Sequence, residues 1–254
     1  MTANKDPYEL QSVANALSIL DLLSQYEELS LAAVSKHMKI SPTTAFRLLH
    51  TLERYNYVVK SPQARYRLSI KLATFGDIVT RRMDIVRIVH PYLEKLSQQF
   101  QETAHLVVWN SRYDVIVADR IIGSSPISYK TAIGFITPAY TAASGRVLLA
   151  YTDTEHAEDY IGQADFPLLP NGLRDEQEFR AMLSTIRTSG FAENEGDAIP
   201  GLSCYAVPLF GKSGRAVASL SISGPQINLN LHKEEMIVTL RSCAEKINQQ
   251  FTSN

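Results

Sequence analysis

Apolar residues recur at three- and four-residue steps from Ser12 to Ser24, with Val13, Leu17, Leu20 and Leu23 in one stripe. That period predicts an amphipathic helix, with Ser12 as its cap and Glu27-Glu28 as the polar turn after it. Ser30 opens a second helical pattern with Leu31, Val34 and Met38 inward. Lys39-Ile40 forms a short link, and Ser41 caps a third helix. Pro42 then falls at the first helical position, where its missing N–H costs nothing. Ala45, Leu49 and Leu52 face inward, while Thr43, Arg47, His50 and Arg54 share the opposite side. Two β-prone runs follow, Tyr57 to Lys60 and Arg65 to Leu68, around the turn Ser61-Pro62-Gln63-Ala64. Such runs predict a hairpin. Helix, turn, helix and hairpin in this order predict a winged helix-turn-helix over residues 9–72.

Beyond Leu72 the texture changes. Leu72 to Val89 has the spacing of a helix, carrying Phe75, Ile78, Val79 and Val86, and residues 73–86 are expected to form a linker helix. Pro91 is placed in the first turn of the next helix, Tyr92 to Phe100. His105 to Trp109 and Val115 to Ala118 read as strands around a turn. Pro138 to Tyr151 holds a small-residue helix, and Asp175 to Ser189 an amphipathic one that ends before Gly190. Cys204 to Phe210 and Ala216 to Ser223 are apolar strands joined by Gly211-Lys212-Ser213-Gly214, and Lys233 to Phe251 is a closing helix. This mixture predicts an α+β domain over 87–254 with a mixed or antiparallel sheet.

Charge sharpens the division. The 254-residue chain has a net charge of -1, an apolar share of 45% and a charged share of 20%. Between Ser30 and Leu72, however, Lys36, Lys39, Arg47, Arg54, Lys60, Arg65, Arg67 and Lys71 face one acid, Glu53. A basic module on an acidic remainder points to nucleic-acid binding by that part alone. The polar start Met1 to Tyr8 lacks a signal core, and no apolar run approaches the roughly 20 residues of a membrane span. A cytoplasmic protein without a membrane partner is expected.

Enzyme chemistry is not expected. There is no G-x-S-x-G elbow and no glycine-rich phosphate loop. Cys204 and Cys243 form no C-x-x-C pair, and His156-Ala157-Glu158 is not a zinc motif. Cys204 is a conceivable nucleophile with His105 or His232 as base, but nothing in the sequence places either beside it. No catalytic residue, metal or cofactor is assigned.

The motifs S-V-A-N-A-L-S-I-L-D-L-L, S-P-T-T-A-F-R-L-L-H-T-L and Y-R-L-S-I-K-L-A-T-F-G, followed by A-A-S-G-R-V-L-L-A, C-Y-A-V-P-L and S-L-S-I-S-G-P, occur in that order. By them the chain resembles an IclR-type bacterial transcriptional regulator over almost its full length. The resemblance implies a GAF-like effector-binding domain after the linker helix. It also implies a homodimer or homotetramer on a pseudo-palindromic double-stranded DNA operator, and a small organic acid, sugar acid or aromatic as effector. Three positions depart from the family's habit: Tyr140 stands where histidine is frequent, Asn194 where an acid is, and Arg146 where lysine is usual.

These readings assign two sets of residues. Ser41, Thr43, Thr44, Arg47, His50 and Arg54 form the DNA-facing helix surface. Arginine can read guanine with two hydrogen bonds, threonine can meet a phosphate or a thymine methyl, and a helix N-terminus favours phosphate. Lys60, Arg65 and Arg67 on the wing would position rather than specify. The resemblance places Asn194, Cys204, Ser221 and Ser223 at the effector, and Ser221 and Ser223 alternate on one strand, so they share a side. Phe135 and Tyr140 are expected as its apolar wall. The competing reading is a metabolite- or redox-sensing module, centred on Cys204, that acts through protein partners.

Overall fold

The computed structural model describes residues 8–128, 131–163, 175–197 and 199–252. The chain divides into two compact units, Met1–Arg82 and Met83–Asn254. The first contains α1 (Gln11–Ser24), β1 (Leu29–Ser30), α2 (Leu31–Met38), α3 (Pro42–Arg54), β2 (Val58–Lys60), β3 (Arg65–Leu68) and α4 (Lys71–Arg82). Its core is built from Ile19, Leu23, Val34, Ala45, Leu49, Val58 and Tyr66. Ser30 Oγ accepts the Ala33 N–H at 3.3 Å, and Ser41 Oγ accepts the Thr44 N–H at 3.1 Å. Both serines thereby satisfy a backbone donor that the helix itself leaves without a partner. Lys39 ends α2 in the left-handed region at φ 53, which turns the chain into α3.

Three details differ from the sequence pattern. Helix α1 begins at Gln11 after an extended Leu10 that makes no side-chain cap, so Ser12 is inside the helix. Its buried side is centred on Ile19 and Leu23, whereas Val13 and Leu17 are 51% and 57% exposed. The hydrophobic period was right, but the stripe is broader than the core that α2 and α3 offer, and one edge stays outside. The wing gains a third strand, because β1 pairs with β3 through Leu29↔Tyr66 and Ser30↔Arg65, giving the order β1-β3-β2.

The second unit contains α5 (Asp84–Phe100), β4 (Thr103–Trp109), β5 (Asp114–Ile121), β6 (Ile136–Pro138), a 3-10 turn (Ala139–Thr141), α6 (Ala143–Ala150), α7 (Thr154–Gln163), α8 (Glu176–Ser189), β7 (Ala192–Glu195), β8 (Leu202–Phe210), β9 (Ala216–Pro225), α9 (Gln226–Leu231) and α10 (Lys233–Thr252). The helical pattern expected from Leu72 to Val89 is broken. Met83 is extended at φ -95 and ψ 90, and Asp84 starts α5 with an acid in its first turn, where the helix dipole favours one. Pro91 lies well inside α5 rather than at a helix start. It forfeits one backbone hydrogen bond there. Packing offsets that loss, since Val89, Leu93 and Leu96 are fully buried on either side of it.

The sheet runs β6-β5-β4-β9-β8-β7 and every neighbouring pair is antiparallel. Alternation divides its two faces. Ala104, Leu106, Tyr205, Val207, Leu220 and Ile222 pack with Leu93 and Leu96 of α5 and with Met236, Leu240 and Ile247 of α10. Val107 and Ala206 belong to a separate core with Val147 and Leu148 of α6 and Phe179 and Leu183 of α8. The fold is α+β, with helices on both faces of an antiparallel sheet.

Helix α6 lies tightly on the turn before it, and Gly145 makes this approach possible. A Cβ at this position would lie 2.1 Å from the carbonyl oxygen of Ala139. Gly145→Ala is therefore expected to lower the stability of the unit by about 1–3 kcal/mol, the usual penalty for overpacking. Gly162→Ala in α7 is the control, because its Cβ would meet nothing within 4 Å. Thermal melts of both variants check the pair: a large drop for the first and no loss for the second.

Candidate functional site

The first candidate surface is α3. Ala45, Leu49 and Leu52 occupy its inward side, which leaves Ser41, Thr43, Thr44, Arg47, His50 and Arg54 all exposed. No ion pair among the described residues engages Arg47 or Arg54, so both guanidinium groups are available to a ligand. Ser41 is already committed: its hydroxyl caps the helix and lies 2.8 Å from Thr44 Oγ1. Sequence reasoning passed over Phe46, which is exposed and stacks on His50 with ring centroids 5.9 Å apart. On the wing, Lys60, Arg65 and Arg67 are exposed too. Glu28 pairs with both arginines, at 3.7 Å to Arg65 and 3.8 Å to Arg67. This acid lies just outside the basic run, so the charge count had missed it.

The second candidate is a cavity of about 340 Å³ on one face of the large sheet. Strand register builds its floor. Ser221 stands opposite His105 on β4 and Ala206 on β8, while Ser223 stands opposite Thr103 and Cys204. Directly opposed residues share a face, so His105, Cys204, Ser221 and Ser223 are presented together. Phe135 and Asn194 complete the assigned residues that line the cavity. Tyr140 does not line it. Its side chain is buried in the core between the sheet, α6 and α8, and its backbone N–H donates to Tyr160 Oη at 3.0 Å. The 3-10 turn sends Tyr140 inward and Thr141 toward the cavity, a reversal that periodicity does not reveal.

Asn194 has a double role. Its Nδ2 donates to the Thr141 carbonyl at 2.9 Å, and its Oδ1 accepts the Asp197 N–H at 3.1 Å. Arg146, deeply buried, donates from Nε to the Tyr140 carbonyl at 2.8 Å and pairs with Asp197 at 2.7 Å. These contacts tie β7 and the loop after it to the start of α6. Because Arg146 is engaged this way and does not line the cavity, the described lining residues include no cation. Ala142 precedes α6 in extended conformation without a side-chain cap, and Thr141, Ala142 and Ser144 all line the cavity. The uncapped helix start offers backbone donors to an acceptor. Ser144 Oγ donates to Ser221 Oγ at 3.0 Å, whereas Nε2 of the buried His105 has no partner among the described residues. His105, Thr137, Thr141 and Ser144 are thus lining residues that sequence reasoning missed. The alternation of His105 with Val107 on a strand was the available signal, and the pairing partner was the absent one.

Burial decides the chemistry of the titratable pair. It pushes the Cys204 thiol up to about 12. Burial, with the charge of Arg120 second, holds His105 down to about 4. A neutral thiol on β8 and a neutral imidazole on β4, with β9 between them, are the opposite of an activated nucleophile and base. Among the described residues no group of three potential ligands is arranged for a metal ion.

Both parts of the chain match known proteins. Residues 12–62 match the IclR helix-turn-helix domain, and residues 78–249 match the bacterial transcriptional regulator IclR C-terminal domain. The chain belongs to the IclR family of bacterial transcriptional regulators. The regulator KdgR of Dickeya chrysanthemi is 28% identical to it over 251 residues, covering 98% of this chain and 82% of that protein. The crystal structure of the Thermotoga maritima IclR superposes with a TM-score of 0.80 at 26% identity, covering 96% of this chain and 99% of the other. An IclR homologue from Microbacterium hydrocarbonoxydans, crystallised with 4-hydroxybenzoate, shares the fold with a TM-score of 0.77 at 19% identity, covering 96% and 98%. The family consists of transcriptional regulators rather than enzymes, so the thiol-enzyme reading of Cys204 falls. No helix among the described residues is long and apolar enough to cross a membrane.

Two measurements check the electrostatics. Cys204 in the native protein should react with iodoacetamide at pH 7.5 about a hundredfold or more slowly than an unperturbed thiol, as read by mass spectrometry. The imidazole of His105 gives a pH window for stability. Below about 6.5 the unfolded chain takes up a proton that the folded unit refuses until about pH 4. Stability contributed by this group is therefore complete above that window and falls by up to about 3 kcal/mol as pH drops through it. His105→Gln should flatten the loss in denaturant titrations between pH 6.5 and 4.

Proposed function

We propose that the protein is a metabolite-responsive transcription factor. Its α3 surface reads the major groove of a pseudo-palindromic operator, and its sheet-floored cavity takes a small organic effector. The observation that carries the second part is the cavity's inventory among the described residues: hydroxyls, an uncapped helix start and a His105 Nε2 without a partner surround about 340 Å³, and no cation is among them. That set suits a small organic acid, sugar acid or phenolic compound, whose oxygens can be satisfied by neutral donors. The 4-hydroxybenzoate of the Microbacterium homologue is a sensible first probe.

Thr43, Thr44 and Arg47 are assigned to base or near-base contacts, and Ser41, His50 and Arg54 to the flanks of that surface. Lys60, Arg65 and Arg67 are assigned to phosphates. Two copies would pair so that two recognition helices meet half-sites about one helical turn apart, and two such dimers can join as a tetramer. The effector alters DNA affinity by preferring one arrangement of the paired DNA-binding units, carried through α4 and the extended Met83 that follows it. Such a regulator works in the cytoplasm.

Two variants test the separate surfaces. Arg47→Ala should weaken operator binding by about 1–3 kcal/mol and relax base preference, as gel-shift titrations against base-substituted duplexes would report. Ser221→Leu fills the cavity floor and should abolish effector binding in calorimetry while operator affinity without effector stays unchanged. Unchanged effector binding in that variant would move the pocket elsewhere.

A further inference from the structure

The wing's arginines are not free. Arg65 and Arg67 alternate on β3 around Tyr66, whose side chain is buried, so both guanidinium groups stand on the solvent face. Strand β1 runs alongside with Ser30 opposite Arg65 and Leu29 opposite Tyr66, and continuing that register sets Glu28 beside Arg67. The Glu28 carboxylate lies 3.7 Å from Arg65 Nε and 3.8 Å from Arg67 Nε. Arg65 also donates from Nη2 to the Glu28 backbone carbonyl at 3.1 Å, a contact that needs no charge on Glu28. One carboxylate, less exposed than either guanidinium at 28% against 50% and 54%, therefore stands behind two cations that face outward.

We infer that Glu28 is an intramolecular competitor for DNA phosphate: it holds Arg65 and Arg67 until the wing meets a duplex, and so sets how tightly the protein holds DNA of any sequence. The inference rests on the reading of the wing as a DNA contact. When a phosphate approaches either arginine, it must displace the carboxylate or tolerate a second negative charge within a few ångströms. Both outcomes weaken binding. Because the opposing group is a phosphate and not a base, the effect is the same on every sequence. It also offsets part of the charge that would otherwise be exchanged for counterions, so it flattens the salt dependence. Glu28 is a positioning residue for the wing and has no part in base recognition.

The test uses the full chain in fluorescence anisotropy titrations over a salt series, with a duplex from the protein's own upstream region and a scrambled duplex of equal length. Glu28→Gln should bind both duplexes about three- to tenfold more tightly at low salt, the scale of a lost surface ion pair. Its log affinity should fall with log salt more steeply by about one, the increment of one more phosphate contact. Glu28→Ala should change both quantities in the same direction, and melting curves should show both variants folded. Arg65→Ala combined with Arg67→Ala should weaken both duplexes, and adding Glu28→Gln to that pair should then change nothing. If removing the arginines leaves affinity unchanged, the wing reading falls and the inference with it. If removing them weakens binding but Glu28→Gln does not strengthen it, or strengthens only the native duplex, the inference about Glu28 alone is overturned.

Discussion

The antiparallel register that joins β4, β9 and β8 is the constraint on which the C-terminal unit depends. Side chains alternate with a period of two, so a slip of one residue would turn Ser221 and Ser223 into the α5–α10 core and bring Leu220 and Ile222 out to the cavity. Leu220, Ile222, Tyr205, Val207 and Leu106 are all essentially inaccessible, and together they hold the strands in place. The polar floor is a consequence of that apolar packing. His105, Cys204, Ser221 and Ser223 come together because their neighbours in sequence are held on the other side. The same packing keeps the thiol and the imidazole neutral, which disfavours nucleophilic chemistry in the cavity.

The DNA-binding unit obeys a more local logic. Ser30 and Ser41 cap α2 and α3, Lys39 turns one into the other, and three apolar residues fix the rotation of α3 about its axis. That rotation presents Thr43, Arg47, His50 and Arg54 as one surface. The wing depends on a longer-range contact, the pairing of β1 with β3, which brings Glu28 to the two arginines. The basic character of this unit is therefore uneven. Among the described residues the arginines of α3 make no ion pair, and two cations of the wing are restrained by a carboxylate.

What the sequence disclosed follows the reach of each signal. The caps at Ser30 and Ser41, the proline at the start of α3 and the four-three-four spacing of its polar face act within one or two turns and are legible, whereas Ser12 falls inside α1. The alternation of Ser221 with Ser223 is legible too. Contacts made across the chain are not. His105 becomes part of the cavity only because β4 pairs with β9, and Glu28 meets the wing only through β1. Tyr140 was misplaced because a short 3-10 turn reverses the direction of one side chain. The break at Met83 interrupts an apolar spacing that continues on both sides of it, so period alone ran one helix into the next.

A ligand-responsive regulator must couple its two surfaces, and thermodynamic linkage makes that coupling measurable from both ends. A thermal-shift panel of small acids, sugar acids and aromatics, 4-hydroxybenzoate included, identifies a compound that binds the native protein. Affinity for upstream DNA is then measured with and without that compound at saturation, and affinity for the compound with and without DNA. The account predicts a change of about 5- to 150-fold in the first pair and the same factor in the second. A compound that occupies the cavity, loses binding in Ser221→Leu, and leaves DNA affinity unchanged would contradict it.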